Sequence, residues 1–116
     1  MTDITGASKP PAPPAHLSRD ARRLWRDVVD EYHLERHHQV ILTVACEALD
    51  RLAEARAAIA ADGAYIDGRF GKKAHPALAV ERDSRVAILR SLRELGLDLE
   101  FAGDAVSRPP SRWRGR

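Results

Sequence analysis

The side chains best suited to bind a charged ligand in this sequence are three clustered cations, Arg69, Lys72 and Lys73. Before them, Tyr65-Ile66 and Asp67-Gly68 have the composition of a short β-hairpin, which we predict to turn at Asp67-Gly68. An irregular loop would fit the same residues. Because clustered lysine and arginine side chains bind phosphate groups, this segment is a candidate for contact with DNA.

A second basic group belongs to the first predicted helix. Its four arginines fall within an arc of about 100° on the side away from the apolar stripe. They are Arg19, Arg22, Arg23 and Arg26. This side would face DNA phosphates, or it is a solvated surface in which neighbouring acidic residues balance the charge, and we favour the solvated surface.

The chain ends in a basic tail. Residues 107–116 contain four arginines and no acid, and subtracting these 4 charges from the total of +2 leaves −2 for the rest. The candidate residues are Arg108, Arg112, Trp113, Arg114 and Arg116. An aromatic side chain among arginines can stack on bases or dock in a protein groove, so we expect the tail to contact DNA or a partner protein. The alternative is a disordered solubilising end.

Catalytic and metal-binding patterns are missing from the sequence. It has no phosphate-cradling Gly-x-x-x-x-Gly-Lys-Ser/Thr loop, no Gly-x-Ser-x-Gly elbow and no His-Glu-x-x-His helix. His33, His37 and His38 precede Cys46 at a spacing that matches no compact four-ligand zinc site. We therefore expect a protein that is not an enzyme and that holds no metal ion and no cofactor.

Cysteine content and hydropathy bear on the compartment. A single cysteine cannot form an intrachain disulfide and fits a reducing environment. No apolar run approaches the ~18 residues of a membrane span, and residues 1–14 lack the layout of a signal peptide. We therefore expect a cytosolic protein without a membrane segment.

Helical spacing of apolar residues predicts three helices. The first runs near residues 18–32 from an N-cap at Ser18 and contains Trp25 in its apolar stripe. The second follows a polar break at residues 33–37 and ends at Gly63 in a left-handed conformation. Its predicted apolar face comprises Ile41, Val44, Ala45, Ala48, Leu49, Leu52, Ala55 and Ile59.

The third predicted helix begins at His75-Pro76, continues to Leu95 and ends before Gly96. Its apolar arc comprises Ala77, Leu78, Val86, Ile88, Leu89, Leu92 and Leu95. Charged side chains of Glu81, Arg82 and Arg85 project into the first half of this arc. Since Glu81 and Arg85 have the i, i+4 spacing of a helical ion pair, we favour a structural bridge, within or between subunits, over direct ligand contact.

The fold class that follows is mainly α, with one shorter helix, two long helices and a hairpin or loop between the long ones. We divide the chain into a flexible proline-rich arm at 1–15, a helical domain at 16–97 and a weakly structured arginine-rich tail at 98–116. A domain of this size buries a limited fraction of its surface, so assembly with further copies would enlarge its core.

A set of landmarks in order and spacing resembles one known family. The resemblance rests on Pro13-Pro14, Leu17, Ala21, Trp25, Val28-Val29, Cys46-Glu47-Ala48, Gly63, Gly68, His75-Pro76-Ala77-Leu78, Arg82-Asp83 and the run from Leu89 to Leu97. Together these residues resemble a phage terminase small subunit of the P-twenty-seven type. The sequence departs from that pattern at Glu35 to His38 and after Leu97.

The resemblance implies a helical, non-catalytic protein in the host cytoplasm. It implies a homo-oligomeric ring larger than a dimer, which engages double-stranded viral DNA and recruits the large terminase subunit, the partner that carries the ATPase and nuclease activities. In that setting Trp25, His75, Pro76, Glu81, Arg82 and Arg85 are structural or inter-subunit candidates. The alternatives are a dimeric helix-turn-helix regulator and a helical protein adaptor that does not bind nucleic acid.

Overall fold

The chain folds into three helices with a two-stranded hairpin between the second and the third. The structure is a computed structural model and describes residues 9–97. In chain order the elements are helix α1 (Arg19–Glu31), helix α2 (Arg36–Asp62), strand β1 (Tyr65–Gly68), strand β2 (Gly71–Ala74) and helix α3 (Ala77–Glu94). The predicted fold class is confirmed. Within residues 9–97 no helix combines the length and the apolar character needed to cross a membrane.

Helix α1 begins at a capped serine that also holds the helix against α2. The Ser18 hydroxyl accepts a hydrogen bond from the backbone N–H of Ala21 at 3.2 Å, as expected of an N-cap. The hydroxyl and the backbone N–H of Ser18 both donate to the carboxylate of Asp50 in α2. Nearby, His16 Nε2 lies 2.7 Å from Glu47 Oε2. These contacts fasten the start of α1 to the middle of α2.

The break before α2 is shorter than predicted, because α2 already begins at Arg36. The backbone N–H of Glu35 donates to Nδ1 of His38 at 3.1 Å, so a side chain from the first turn caps the helix. Burial of the ring, together with the nearby His37, lowers the pKa of His38. The neutral ring that results is the form able to accept this hydrogen bond.

The predicted hairpin is present, but its turn lies two residues later than predicted. The antiparallel pairing sets Gly68 opposite Gly71, so the connection is Arg69-Phe70 and the predicted turn at Asp67-Gly68 is wrong. Asp67 lies inside β1, opposite Lys72. Gly71, with φ of 122°, provides the positive backbone angle that lets the chain reverse.

The core lies where the three helices meet. Its buried members are Leu17, Ala21, Trp25, Val28, Leu34, Leu42, Ala45, Cys46, Leu92, Leu95 and Leu97. The predicted stripe on α2 is partly correct: it includes the buried Ala45 but omits Leu42 and Cys46, and it includes Val44, which is exposed. Because α2 packs against both α1 and α3, its buried arc is wider than one amphipathic stripe.

Cys46 is a packing residue of this core. Its side chain is fully buried, and burial, followed by the charges of Asp50 and Glu47, raises the pKa of the thiol to about 12. A buried, protonated thiol is a poor nucleophile and fills space as a small hydrophobic group.

Helix α3 faces α2 with small and polar side chains. Ala77, Ser84 and Ser91 are buried at seven-residue intervals, which places them on one helix face. The predicted arc on α3 is wrong at Val86 and Leu89, which are 47 % and 49 % exposed. The predicted arc is correct at Ala77, Leu92 and Leu95, which are buried. Because small side chains can also occupy the contact between neighbouring helices, hydropathy identifies only part of the buried face.

Two glycines end the long helices in different ways. Gly63 donates its N–H to the Ile59 carbonyl, with φ of 91° and ψ of 157°. These angles lie outside the predicted left-handed helical region, although the positive φ still calls for glycine. Gly96, with φ of 72°, ends α3 as predicted, and Leu97 N–H donates to the Leu92 carbonyl at 3.2 Å, completing a Schellman motif.

Candidate nucleic-acid interface

The hairpin is anchored through a histidine at its base. Nδ1 of His75 accepts the backbone N–H of Ala77 at 2.9 Å, and Nε2 lies 2.9 Å from Oδ2 of Asp62. Because Nδ1 accepts, the ring proton resides on Nε2, which donates to the carboxylate. The backbone N–H of His75 also donates to the Ala64 carbonyl at 2.8 Å. His75 therefore joins the end of α2, the hairpin and the start of α3.

An ion-pair network lies beyond this histidine along α3. Oε2 of Glu81 lies 3.2 Å from Nε of Arg56 in α2 and 3.3 Å from Nη1 of Arg85. The predicted pair between Glu81 and Arg85 is therefore present, and Arg56 extends it to the neighbouring helix. The Glu81 side chain is 22 % exposed, so the network is partly shielded from water. We call these residues, with His75, Asp62 and Gly63, the hairpin base.

Arg82 does not take part in that network. Its Nε lies 3.3 Å from Oδ1 of the adjacent Asp83, and both side chains are mostly exposed. The prediction that Arg82 projects into the buried face of α3 is therefore wrong. One residue corresponds to 100° on a helix, which turns Arg82 away from the contact that Glu81 makes with α2.

The far end of the hairpin carries the predicted cations on a projecting surface. We call Arg69, Phe70, Lys72 and Lys73 the hairpin tip. Lys72 Nζ lies 3.0 Å from Oδ1 of Asp67, and the two side chains are 69 % and 90 % exposed. Such an exposed ion pair contributes little to stability, so a phosphate can replace Asp67 as the partner of Lys72.

The other two cations of the hairpin tip have no ion-pair partner among residues 9–97. Arg69 Cζ lies 5.5 Å from the centre of the Phe70 ring, a cation–π contact. The aliphatic stem of Lys73 passes over Gly68, where an added Cβ would lie 3.0 Å from Lys73 Cδ. The absence of a side chain at Gly68 therefore leaves the space that the stem of Lys73 occupies.

The arginines of α1 form a separate and smaller patch. Arg19, Arg23 and Arg26 are exposed as predicted. Arg22 is half-buried, and its Nη2 donates to the Ala15 carbonyl at 2.6 Å. Its Nε is buried and finds no hydrogen-bond partner in the described part of the chain. The predicted strip of four arginines is therefore reduced to three that face solvent.

The two basic patches lie at different places along α2. The start of α1 is held at Asp50, whereas the hairpin begins after Asp62, about 18 Å further along the helix at 1.5 Å per residue. Helix α1 then runs away from the hairpin, because Trp25 lines a groove with Gln39 and Thr43 of α2. The sequence predicts both the α1 arginines and the hairpin cations as DNA contacts, but the structure does not bring the two sets together.

Trp25 anchors the described part of the proline-rich arm. Its ring is buried, and Nε1 donates to the Pro11 carbonyl at 2.9 Å. A groove of about 500 Å³ lies beside the ring. It is lined by Ala12, Pro14, Trp25, Arg36, Gln39, Val40 and Thr43. Trp25 thus has a structural part, joining the arm to α1.

Some predicted sites lie outside the structure, and some structural residues escaped prediction. Arg108, Arg112, Trp113, Arg114 and Arg116 fall outside the described residues. Within residues 9–97 no group of histidine, cysteine and carboxylate side chains is arranged to hold a metal ion. Sequence reasoning missed Asp62 and Arg56, whose partners lie far along the chain. It also missed Phe70, although an aromatic residue between Arg69 and Gly71 was a visible signal.

A model of a known protein family matches most of the chain. Residues 21–101 match the family model described as phage terminase, small subunit. The matched range includes nearly all of α1 and the whole of α2, the hairpin and α3. No curated protein and no solved structure matches the chain.

Proposed function

We propose that copies of this chain, which belongs to the family of phage terminase small subunits, form a ring. This ring engages viral DNA in the host cytoplasm. The ring delivers that DNA to the large terminase subunit, which supplies the ATPase and nuclease activities. The chain itself is a non-catalytic component of DNA packaging. Family membership supports the packaging role, and features of the described residues support the two parts argued next.

Exposed apolar side chains support assembly of several copies. Val86 and Leu89 are neighbours on the side of α3 that faces away from α2, and each is about half exposed. Val40 and Val44 form a similar exposed pair near the start of α2. Contact between copies would remove this apolar surface from water, which is the main favourable term in protein association.

The assembly is tested by the mass of the particle in solution. Light scattering should give a closed oligomer larger than a dimer. Replacing Val86 and Leu89 together by glutamate should shift the mass toward the monomer, while Val80→Glu, on another side of α3, should leave it unchanged. A dimer for the wild-type chain would favour the helix-turn-helix regulator instead.

The observation that carries the DNA contact is the hairpin tip. It places three cations on an exposed ribbon, and only Lys72 among them has an ion-pair partner in the described residues. The hairpin base fixes the direction in which this ribbon projects. Unpaired cations on a fixed ribbon can bind phosphates without first breaking strong contacts within the protein.

Charge reversal tests this contact. Lys72→Glu combined with Lys73→Glu should weaken binding to a duplex at low salt by about tenfold or more and flatten its salt dependence. The matched control, Arg23→Glu with Arg26→Glu, changes the charge equally on α1 and should have a smaller effect. If only the α1 variant loses binding, the DNA contact belongs to α1. If the wild-type chain shows no salt-dependent binding, the protein adaptor becomes the better hypothesis.

The arginine-rich tail is assigned to the large subunit or to DNA, on its sequence alone. Replacing Arg108, Arg112, Arg114 and Arg116 by glutamine should reduce capture of the large subunit, DNA binding or both. Measuring the two separately assigns the tail to one of them. If neither changes, the solubilising role is the correct interpretation.

A further inference from the structure

Phe70 is the most exposed large apolar side chain in the described part of the chain. It is 94 % exposed, whereas Tyr65, the next, is 66 % exposed. Scattered apolar side chains on a surface need no explanation. This one differs in position, because it lies in the two-residue connection at the end of a ribbon, where no other element of residues 9–97 covers it.

The residues around Phe70 leave its ring free on nearly all sides. Gly68 and Gly71 flank the connection and have no side chains to pack against it. A Cβ placed on Gly71 would meet nothing within 4 Å. Among residues 9–97, the guanidinium of Arg69 is the one group that makes a cation–π or aromatic contact with the ring, at 5.5 Å from its centre. The phenyl group is therefore a narrow projection, with the strands behind it about 4.8 Å apart.

The charges beside the ring favour a nucleic acid as the occupant. Arg69 precedes the phenylalanine, and Lys72 and Lys73 follow it, so cations lie on both sides of an apolar group. A duplex offers the matching pattern, with phosphates along each edge of the minor groove and stacked bases between them. The groove beside Trp25 is a poorer match for this tip on another copy, because Arg36 lines it and would repel Arg69.

The rigid attachment of the ribbon adds to this argument. His75 holds the return strand to Asp62 and to the start of α3, and Glu81 joins α3 to Arg56 of α2. A side chain presented from a fixed base loses less conformational freedom on binding than one on a mobile loop. A wedge must transmit force to the base stack, which also requires a firm base.

We infer that Phe70 is a wedge that enters the minor groove of the bound duplex, partly unstacks one base step and bends the DNA, while the flanking cations hold the phosphates. This inference rests on the proposed function of the hairpin tip and adds a mode of binding to it. Bending by an apolar wedge costs least at flexible pyrimidine–purine steps, so TA and CA/TG steps should be preferred over A-tracts.

The test uses the full chain and a short duplex labelled at both ends for energy transfer. The duplex carries 2-aminopurine at a central TA step, whose fluorescence rises when the base unstacks. Wild-type protein should raise that fluorescence and bend the duplex by about 20–90°. Phe70→Ala should bind within about threefold of wild type with the same salt dependence, but without unstacking or bending. Phe70→Leu, which keeps an apolar wedge, should retain most of both signals.

The outcomes separate this inference from the proposed function. Loss of binding in the Lys72 and Lys73 variant with full bending by Phe70→Ala would keep the hairpin contact and overturn the wedge. A change in particle mass caused by Phe70→Ala would mean that the phenyl group of Phe70 contacts a neighbouring copy. This outcome would also overturn the wedge. Absence of DNA binding by wild type would overturn both proposals. The wedge is supported if wild type and Phe70→Leu bend the duplex, Phe70→Ala does not, and all three proteins have the same particle mass.

Discussion

The hairpin base and the hairpin tip are adjacent in sequence but are constructed on different principles. At the base, His75, Asp62 and Glu81 make hydrogen bonds and ion pairs that reach both long helices. At the tip, Phe70 is 94 % exposed, and Lys73 has no ion-pair partner among residues 9–97. Contacts at the base stabilise the fold, whereas the exposed groups of the tip can contribute mainly to binding. Substitutions should therefore divide into two classes: those at the base should lower stability, and those at the tip should change binding.

Gly63→Ala should have the largest effect on stability. The backbone at Gly63, with φ of 91° and ψ of 157°, lies in a region that only glycine occupies readily. We expect the free energy of unfolding to fall by about 1–3 kcal/mol, measured by urea denaturation followed by circular dichroism. Gly71→Ala, at φ of 122° near the tip, should cost less because the turn can relax without breaking a contact to a helix. An equal loss at both sites would contradict the division.

His75→Ala should be the next largest. It removes the cap on the Ala77 N–H and the hydrogen bond to Asp62, which together should lower the free energy of unfolding by about 1–2 kcal/mol. His75→Asn is the matched control, because its shorter side chain can still cap the helix but loses Asp62. It should recover part of the stability. If alanine and asparagine are equally destabilising, the bond to Asp62 carries the whole effect.

The start of α2 allows the comparison to be extended through pH. His38 caps α2 as His75 caps α3, and burial lowers the pKa of His38 in the folded chain. Below a pH of about 6.5 the unfolded chain therefore binds a proton more readily than the folded chain, so stability should decline as pH falls from 7 towards 5. The effect of this one ring should be smaller than that of His75→Ala. His38→Gln should reduce the decline relative to wild type; an unchanged decline would assign it to other groups.

Phe70→Ala should have the smallest effect on stability. The side chain buries almost no surface, so the free energy of unfolding should stay within about 0.5 kcal/mol of wild type. Thermal melting of the two proteins side by side measures this. A loss comparable to that of His75→Ala would mean that Phe70 is buried in the assembled particle, and the tip would then belong with the base.

The same contrast shows what the sequence could and could not predict. Helix periodicity, the Ser18 cap and the glycine stop at Gly96 are local signals, and they led to the correct fold class. The i, i+4 spacing likewise predicted the pair between Glu81 and Arg85. Long-range partners such as Asp62 and Arg56 leave no periodic trace, because their contacts arise only when α2 and α3 pack together.

Errors arose where the outcome depended on contacts that a local sequence pattern does not contain. An Asp-Gly pair is the usual signal for a hairpin turn, yet Asp67-Gly68 lies in β1 and the chain reverses at Arg69-Phe70. Hydropathy placed Val86 and Leu89 in the core, but both are about half exposed, and the buried face of α3 includes Ser84 and Ser91 beside Leu92. The strand register determined the position of the turn, and the packing of α3 on α2 determined which side of α3 is buried. Neither is visible in a single stretch of sequence.

The single thiol, at Cys46, can be used to measure how often the core of the molecule opens. Because the thiol is enclosed by the core and its pKa is raised to about 12, a thiol reagent should reach it chiefly in molecules that have opened. The labelling rate then measures the open population without any substitution. If copies support one another in an assembly, that rate should slow as protein concentration increases, since association draws molecules away from the open state. Labelling across a dilution series would thus read the coupling between folding and assembly directly from the unmodified chain.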